Sequence, residues 1–540
     1  MSDQNQRMLL KNGFIVDGTG SEGRTGNLLI EGGLIRELSE KDIYADCETV
    51  DCSGKVISPG FIDFHSHNDW FLPSENADSF TAPFTKQGIT TFFGGNCGFS
   101  AAGFRKNSRF VDKILENPFR SSGISIQWSS MKEYFDKLSE PGISNNFANL
   151  AGHGCVRTSI KGYDPAPLSK DEMNELLMLL EEAMDQGAKG VSLGLQYEPG
   201  IFSTMDEIRE VAKLVKRKDK LLTVHSRASS AVSGAYPIKP FFGQPHNILA
   251  LEEMINIAKE TGVRLQYSHL LFVGEKTWKT FDKTMAVIDK AISDGVDIKF
   301  DTYAYSCGAS VISVILPGWF MAKVPQAYEN KNDILRLKFE LTVIENLLGF
   351  GFGDIQISYI DHPELTKYIG RFISDIAKEW DRTPFETYLE FAKKSNGKAR
   401  VMQYKYSNSK MIEEFMKHPA CLFMTDAWVE TNGAQNQACF GCFPKFLQMV
   451  REKKIITLEE AIYKMTFAAA KRADIKDRGV LKTGMAADIT VFDRDNIRDN
   501  TSQTETDKAP SGINHVFVNG VHVLKNGELL EGLHPGVILR

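Results

Sequence analysis

The sequence predicts an α/β protein, a (β/α)8 TIM barrel with a small β-sandwich domain formed from both chain termini. Three observations predict this architecture. Short apolar runs alternate with helical patterns between residues 59 and 477, which is the alternation expected of a (β/α)8 barrel. Similar β-rich patterns occupy the two ends of the chain. Finally, 540 residues exceed what one compact core usually holds.

The two chain ends share one style of sequence. Residues 8–58 and 484–530 contain short apolar alternations separated by Gly and Asn, as in MLLKNGFIVDG and INHVFVNGVHVLKNGELL. Such patterns predict short strands joined by tight turns. We therefore expect residues 1–58 and 478–540 to form one composite β-sandwich domain around a barrel of residues 59–477.

Eight apolar runs in the middle of the chain predict the barrel strands: 60–67, 89–98, 147–154, 189–197, 221–227, 264–270, 297–303 and 421–427. Helical patterns lie between most of them, for example at 169–187, 204–218 and 248–262. The first of these helices opens with Ser169 and Glu172, the spacing of a capping box.

Two insertions interrupt this alternation, at about 99–145 and 304–420. The longer one is expected to contain added helices and loops. The shorter one carries Phe104, Phe110, Phe119 and Trp128, and either a lid over the barrel mouth or a subunit contact would use such aromatic residues. A homo-oligomer is left open for the same reason.

Composition excludes several classes of protein. The formal charge of −6, with no long basic run, argues against a nucleic-acid or membrane-surface binder. No apolar run reaches the length of a transmembrane helix, and the N-terminal residues lack a signal-peptide pattern. Eight cysteines in so long a chain are too sparse for a disulfide framework. We therefore expect a cytoplasmic protein with reduced thiols.

Polar residues gather at the C-terminal ends of the predicted strands: His65, His67, Cys97, His225, His269 and Asp426. That end of a barrel carries the active site. His65 and His67 are two residues apart on a strand, so their imidazoles face the same side. A single buried histidine is usually an ordinary core residue. Imidazole, thiolate and carboxylate groups together are the ligands of zinc, so the set predicts a metal site.

The motifs at these strand ends resemble those of the amidohydrolase superfamily, specifically its N-acyl-D-amino-acid deacylase (D-aminoacylase) branch. The resemblance is carried by PGFIDFHSHNDW (59–70), KQGITTFFGGNCGFS (86–100), TVHSR (223–227), QYSHL (266–270), FMTDA (423–427) and FGCFP (440–444). Most relatives in the superfamily use a carboxylated lysine on the fourth strand. Here that strand reads VSLGLQY, and Cys97 would take over the anionic role.

This resemblance implies one tight zinc ion held by Cys97, His225 and His269. A second position would use His65, His67 and Asp426, with Cys97 able to bridge. Metal-bound hydroxide would attack a polarised carbonyl group. Asp426 would be the catalytic residue, because it would take the proton from the attacking water and deliver it to the leaving group.

Substrate-binding positions agree less well with the family. Tyr197, Arg227, Tyr303, Tyr305 and Ser310 fall where the family keeps comparable residues or beside such a position. In contrast, Leu271 stands where relatives usually have lysine, and Asn436-Gln437-Ala438 replaces a family His-Pro-Arg. Arginine recognises a carboxylate in a fixed planar geometry, so this loss is not conservative.

Three functions remain open from the sequence. The first is a zinc-dependent hydrolase of the C–N bond, similar to an N-acyl-D-amino-acid deacylase, acting on a small molecule. The second is a ring-opening hydrolase of a neutral cyclic substrate, either a cyclic amide or a cyclic 1,3-diketone such as dihydrophloroglucinol. A Phe-rich core is the simpler explanation of the 35 phenylalanines, although they and the aromatic insertion also mildly favour this second function. The third is a non-catalytic scaffold, in which metal ligands are generally lost.

Overall fold

The computed structural model describes residues 7–116, 125–237 and 243–540. Within these ranges the strands are β1 (Arg7–Ile15), β2 (Arg24–Glu31), β3 (Leu34–Ser39), β4 (Glu48–Asp51), β5 (Val56–Pro59), β6 (Phe61–Asp63), β7 (Ile89–Gly94), β8 (Asn146–Asn149), β9 (Ala151–Gly152), β10 (Gly190–Gly194), β11 (Leu221–His225), β12 (Arg264–Tyr267), β13 (Ile298–Thr302), β14 (Gly308–Val311), β15 (Ile355–Tyr359), β16 (Arg400–Gln403), β17 (Cys421–Phe423), β18 (Ile489–Phe492), β19 (Ile513–Val518), β20 (Val521–Lys525) and β21 (Glu528–Leu529). The α-helices are α1 (Ala77–Thr85), α2 (Val111–Leu115), α3 (Met131–Ser139), α4 (His153–Lys161), α5 (Lys170–Asp185), α6 (Met205–Arg217), α7 (His246–Thr261), α8 (Phe281–Ser293), α9 (Gly318–Met321), α10 (Lys331–Leu348), α11 (Ile373–Glu379), α12 (Pro384–Lys394), α13 (Ser409–Lys417), α14 (Ala438–Lys453), α15 (Leu458–Met465) and α16 (Phe467–Arg472). None of the helices described here combines the length and apolarity needed to cross a bilayer.

Strands from both chain ends form one sheet of nine strands among the described residues. Its order is β21-β20-β19-β18-β5-β1-β2-β3, with β4 paired to β1. Strand β5 joins the two halves because it pairs with β1 on one edge and with β18 on the other. A Cβ atom at Gly520, in the β19–β20 turn, would lie 2.7 Å from the Cα atom of Gly33, in the β2–β3 turn. The sheet is therefore curved, so that the β19–β20 turn contacts the β2–β3 turn.

Nine described strands in the middle of the chain run parallel in two arcs, with β8 and β9 both falling in the one predicted strand 147–154. One arc has the order β6-β7-β8 and the other β9-β10-β11-β12-β13-β17. The arcs share the chain at residues 146–152, where β8 continues into β9. At their other ends, Ser66 forms a parallel bridge with Ala427. The strands are buried along almost their whole length, as expected for parallel strands covered by helices.

The predicted α/β class and the β-rich second unit are confirmed. Each of the eight predicted strands overlaps an observed strand, although the observed strands are shorter. They end early because the chain turns where the polar residues begin. Helix α5 also follows the prediction, since the Ser169 hydroxyl accepts a bond from the Glu172 backbone N–H and the Glu172 carboxylate accepts one from the Ser169 N–H.

The segment between β13 and β17, residues 304–420, has a hydrophobic core of its own. Leu341 of α10, Ile357 of β15, Tyr388 of α12 and Val401 of β16 are buried together there. Besides the expected helices, this inserted segment contains the antiparallel sheet β14-β16-β15. These strands have only four or five residues, too few to stand out as a repeating pattern among helices.

The shorter insertion packs into the main core. Phe104 and Trp128 are buried in that core, and the Trp128 indole N–H donates to the Ala101 carbonyl oxygen at 2.8 Å. Phe119 lies outside the described residues. Of the described residues between 99 and 145, none lines the cavity over the strand ends.

Candidate metal centre

The six predicted ligands meet at one end of the parallel strands. Ligand atoms of His65, His67, Cys97 and Asp426 all lie within 4.8 Å of one another, and so do those of Cys97, His225 and His269. Cys97 belongs to both groups. We call these six residues the ligand cluster, and its members come from the ends of β6, β7, β11, β12 and β17.

The spacing inside the ligand cluster fits zinc. The Cys97 Sγ atom lies 3.4 Å from His65 Nε2 and 3.4 Å from His269 Nε2. Asp426 Oδ1 lies 3.3 Å from His65 Nε2 and 3.4 Å from His67 Nε2. Zinc bonds of about 2.0 Å to nitrogen and 2.3 Å to sulfur, arranged tetrahedrally, separate two ligand atoms by about 3.5 Å. Donor type and separation therefore both suit this ion.

Charge in the ligand cluster also favours a cation. Burial opposes ionisation of Cys97, but the charges of His65 and His269 hold the pKa of its thiol well below the usual value. Burial likewise acts against Asp426, yet the same two histidines lower the pKa of its carboxyl group. A buried thiolate and a partly exposed carboxylate are thus surrounded by imidazoles. A divalent cation would replace the protons that otherwise balance them.

One imidazole is already suited to donate a lone pair. Burial and the neighbouring charge of His269 lower the pKa of His225. Its Nε2 atom lies 3.1 Å from Gln196 Oε1, and the Tyr197 ring lies 4.5 Å from the His225 ring. The neutral form is the one that binds metal.

Three residues of the ligand cluster have an unusual backbone conformation. Cys97, His269 and Asp426 have positive φ angles of 54°, 32° and 51°, which are uncommon outside glycine and concentrate at functional sites. Glycine allows the bend at Cys97, because a Cβ atom at Gly194 would collide with the Cys97 carbonyl oxygen and one at Gly98 would lie 2.7 Å from the Gly194 nitrogen. This packing accounts for the last glycine of the GGNCG sequence.

Two buried carboxylates hold the ligand backbone in place. Asp63 accepts hydrogen bonds from the Thr425 N–H at 2.9 Å and the Thr425 hydroxyl at 2.6 Å, next to Asp426. Asp301 accepts one from the His269 N–H at 2.6 Å, and its Oδ1 lies 3.7 Å from His65 Nδ1. Such outer groups orient metal ligands.

A cavity of about 310 Å³ opens above the ligand cluster. Cys97, His225, His269 and Asp426 line its floor. Its walls come mainly from the inserted segment and are largely apolar, including Val314, Ile315, Leu341, Ile344, Leu348, Phe350 and Phe352. Glu345 is the one carboxylate besides Asp426, and no lysine or arginine occurs, among the described residues that line it.

The predicted substrate residues divide into two groups. Tyr197 and Ser310 line the cavity, whereas Arg227, Tyr303 and Tyr305 do not. The Arg227 guanidinium donates to the carbonyl oxygens of residues 201 and 203, at 2.9 and 3.1 Å. The Tyr305 hydroxyl donates to Asp499 at 3.0 Å. Roles for these residues in substrate binding stay a prediction.

No basic residue stands where the family resemblance predicts a lysine and an arginine. Leu271 and Asn436-Gln437-Ala438 occupy these places. Leu271 lines the cavity. Gln437 donates to the Thr501 hydroxyl oxygen at 3.2 Å, and Asn436 Oδ1 accepts from the Ala438 N–H at 3.0 Å. Both amides are thus engaged within the protein.

Sequence reasoning missed several cavity residues. Trp428, Gln403 and Tyr406 all line the cavity. Trp428 stands two residues beyond Asp426, so the alternation that paired His65 with His67 could have found it. Gln403 and Tyr406 gave no such signal, because β16 was not recognised as a strand.

Comparisons with known proteins agree with this geometry. No family model matches the sequence. The chain is 26% identical over 545 residues to N-acyl-D-glutamate deacylase of Alcaligenes xylosoxydans xylosoxydans, covering 99% of this chain and 96% of that protein. It is 26% identical over 534 residues to D-aminoacylase of the same organism, covering 98% and 97%.

Solved structures give the same result. N-acyl-D-glutamate deacylase from Bordetella bronchiseptica, complexed with zinc and a phosphonate inhibitor that mimics the tetrahedral intermediate, superimposes with a TM-score of 0.80 at 26% identity, covering 99% of this chain and 100% of that one. A crystal structure of D-aminoacylase shares the fold with a TM-score of 0.79 at 24% identity, covering 99% of both chains. Sequence, fold and ligand cluster together identify the chain as an enzyme of the amidohydrolase superfamily, homologous to the D-aminoacylases.

Proposed function

We propose that the protein is a zinc-dependent hydrolase resembling the N-acyl-D-amino-acid deacylases. The observation that carries this proposal is the meeting of two ligand groups on Cys97 at the floor of a cavity. Cys97, His225 and His269 would hold a tight zinc ion. His65, His67 and Asp426, with Cys97, offer a second position.

Zinc bound there would polarise a carbonyl group and acidify water. The protein's own contribution is centred on Asp426. Its lowered pKa keeps it a carboxylate, and its side chain remains 19% exposed at the cavity floor. It is therefore placed to accept the proton of an attacking water and pass it to the leaving group. The apolar walls limit access of bulk water.

The architecture supports placing this site in a barrel. We infer that the two parallel arcs form one (β/α)8 barrel over residues 59–477, with insertions at about 99–145 and 304–420. The joint between β6 and β17 supports this, since the Asp426 N–H donates to the His65 carbonyl oxygen at 2.8 Å and the His67 N–H to that of Ala427 at 3.1 Å. Residues 1–58 and 478–540 would form the composite β domain.

Tyr197 and Ser310 are the substrate contacts that we propose first, because both line the cavity. Arg227, Tyr303 and Tyr305 would not contact the substrate and would stabilise the loops around the cavity. A cytoplasmic location is supported by the eight cysteines, all of which are free thiols.

A second candidate function is favoured by the walls of the cavity. Relatives with a deacylase reaction release an amino acid that carries a carboxylate, and a cation is the usual partner for that group. Leu271 occupies one such place here, and the described lining residues include no lysine or arginine. Hydrolytic opening of a neutral ring, by C–N or C–C cleavage, fits this surface.

A turnover screen tests both candidates. The zinc-loaded enzyme would be assayed on N-acetyl-D-amino acids, neutral cyclic amides and cyclic 1,3-diketones, with zinc measured on the same sample. Activity on any of these that requires zinc supports the hydrolase. Activity on neutral rings alone would select the second candidate. Full zinc occupancy without activity on any class would contradict both.

A further inference from the structure

The inserted segment presents a buried hydrogen-bond donor to the cavity. Gln403, the last residue of β16, is 3% exposed and lines the cavity. Its Oε1 atom accepts a hydrogen bond from the Tyr406 hydroxyl at 2.5 Å. Its Nε2 atom has no acceptor within the described ranges. Leaving a buried donor unpaired is unfavourable, so an occupant of the cavity that supplies an acceptor would be favoured.

The surroundings fix the direction of this amide. Because Tyr406 binds the oxygen, the N–H groups of Gln403, a residue that lines the cavity, are the part left to bind another partner. Gly308 stands opposite Gln403 in the antiparallel pair of β14 and β16. A Cβ atom there would lie 2.6 Å from the Tyr406 ring and 3.1 Å from the Tyr303 hydroxyl oxygen. Glycine thus gives the two tyrosines the space they occupy beside Gln403.

Charge decides what this donor can recognise. Asp426 and Glu345 place carboxylates on the cavity surface, and the described lining residues offer no lysine or arginine in return. A free carboxylate held against the cavity walls, away from the proposed zinc position, would meet Glu345 and find no lysine or arginine among the described lining residues. An amide N–H, in contrast, pairs well with a neutral oxygen.

We propose that Gln403, oriented by Tyr406, binds a second, uncharged oxygen of the substrate. The enzyme then prefers a neutral substrate that carries a carbonyl, carboxamide or hydroxyl oxygen in addition to the scissile carbonyl. This assignment rests on the proposed hydrolase function for the identity of the site, and it makes Gln403 a specificity-determining residue.

The test compares two probes that differ only in charge and in one group, N-acetyl-D-leucinamide and N-acetyl-D-leucine. Binding of each would be measured by calorimetry to the zinc-loaded Asp426→Asn protein, in which the expected loss of kcat slows hydrolysis of the probe during the titration. We expect the carboxamide to bind at least about ten-fold more tightly than the acid, the equivalent of one hydrogen bond. Turnover of both probes would be measured separately on the unmodified enzyme.

Variants of the donor sharpen the result. Gln403→Leu should weaken carboxamide binding about ten-fold and leave acid binding unchanged. Tyr406→Phe should weaken it less, and Gln403→Lys should improve binding of the acid. Gln356→Leu is the matched control, because Gln356 lies in the same sheet and its amide donates to backbone carbonyl oxygens instead. It should leave the ratio of the two affinities unchanged.

Several results would overturn the assignment. Equal or tighter binding of the acid would do so, as would a Gln403→Leu variant that changes both affinities by the same factor or neither. Undetectable binding of the carboxamide also counts against it. If the expected binding ratio is found but the zinc-loaded enzyme hydrolyses neither probe nor any other class of the turnover screen, the hydrolase function fails and the recognition of a neutral oxygen stands.

Discussion

The floor and the walls of the cavity are built by different means. The floor consists of side chains at the ends of parallel strands, where the topology itself brings Cys97, His225 and His269 together. The walls come mainly from the inserted segment, which has its own core and its own small sheet. The proposed metal ligands therefore lie at the floor, whereas the proposed selection of the substrate would fall to the walls.

Replacing Cys97 should abolish zinc binding at the cavity floor. We expect Cys97→Ser to lose stoichiometric zinc and measurable turnover, because Cys97 belongs to both ligand groups. Metal analysis and activity of the purified protein check this. Cys155→Ser is the control, since Cys155 is equally buried but outside both groups. A Cys97→Ser protein that keeps one zinc ion and normal turnover would contradict the site.

Asp426→Asn should separate catalysis from metal binding. We expect kcat to fall about 10²- to 10⁴-fold, the usual contribution of a positioned acid–base group, while zinc stays on Cys97, His225 and His269. Glu345→Gln, which changes the other cavity carboxylate, should have a much smaller effect on kcat. Equal losses in the two variants would argue against a special role for Asp426.

Leu341→Ala should damage the wall and spare the floor. Leu341 is buried in the core of the inserted segment and lines the cavity. Its truncation should cost about 2–5 kcal/mol of unfolding free energy and raise KM without changing zinc content. Denaturant unfolding and metal analysis measure both quantities. Phe339→Ala, on the exposed side of the same helix, should change stability little.

Acid should lower the unfolding free energy through His522 of β20, which lies in the sheet formed by the two chain ends and not in the cavity floor or walls. Burial, with the charges of His515 and Lys525, lowers the pKa of His522 to about 4. The unfolded chain, with a histidine pKa of about 6.5, binds the proton more tightly. The unfolding free energy should therefore be full above pH 6.5 and fall by about 2 kcal/mol as pH approaches 4.

Chemical denaturation of the zinc-loaded protein at several pH values measures this contribution. His522→Gln should flatten the profile between pH 6.5 and 4, and His534→Gln, near the C-terminus, should not. An unchanged slope in His522→Gln would place the acid sensitivity elsewhere, for example in the ligand cluster.

The floor could be predicted from sequence because its geometry follows from simple rules. Strand alternation puts His65 and His67 on one side, and parallel strands present their ends at one edge. The walls follow no such rule. Gln403 lies beside the cavity because β16 pairs with β14. Arg227, which we expected to bind substrate, donates to backbone carbonyl oxygens. Contacts between distant segments, which no local pattern encodes, decided both outcomes.

The joint between β6 and β17 couples metal binding to strand pairing. The backbone of His65, His67 and Asp426 supplies both hydrogen bonds there, and their side chains supply three of the six proposed ligands. Occupation by a cation and closure of this joint should therefore stabilise each other, in proportion to the affinity for the ion. In chelator-treated protein, backbone amides at this joint should exchange with solvent earlier than those of the opposite strands β10 and β11.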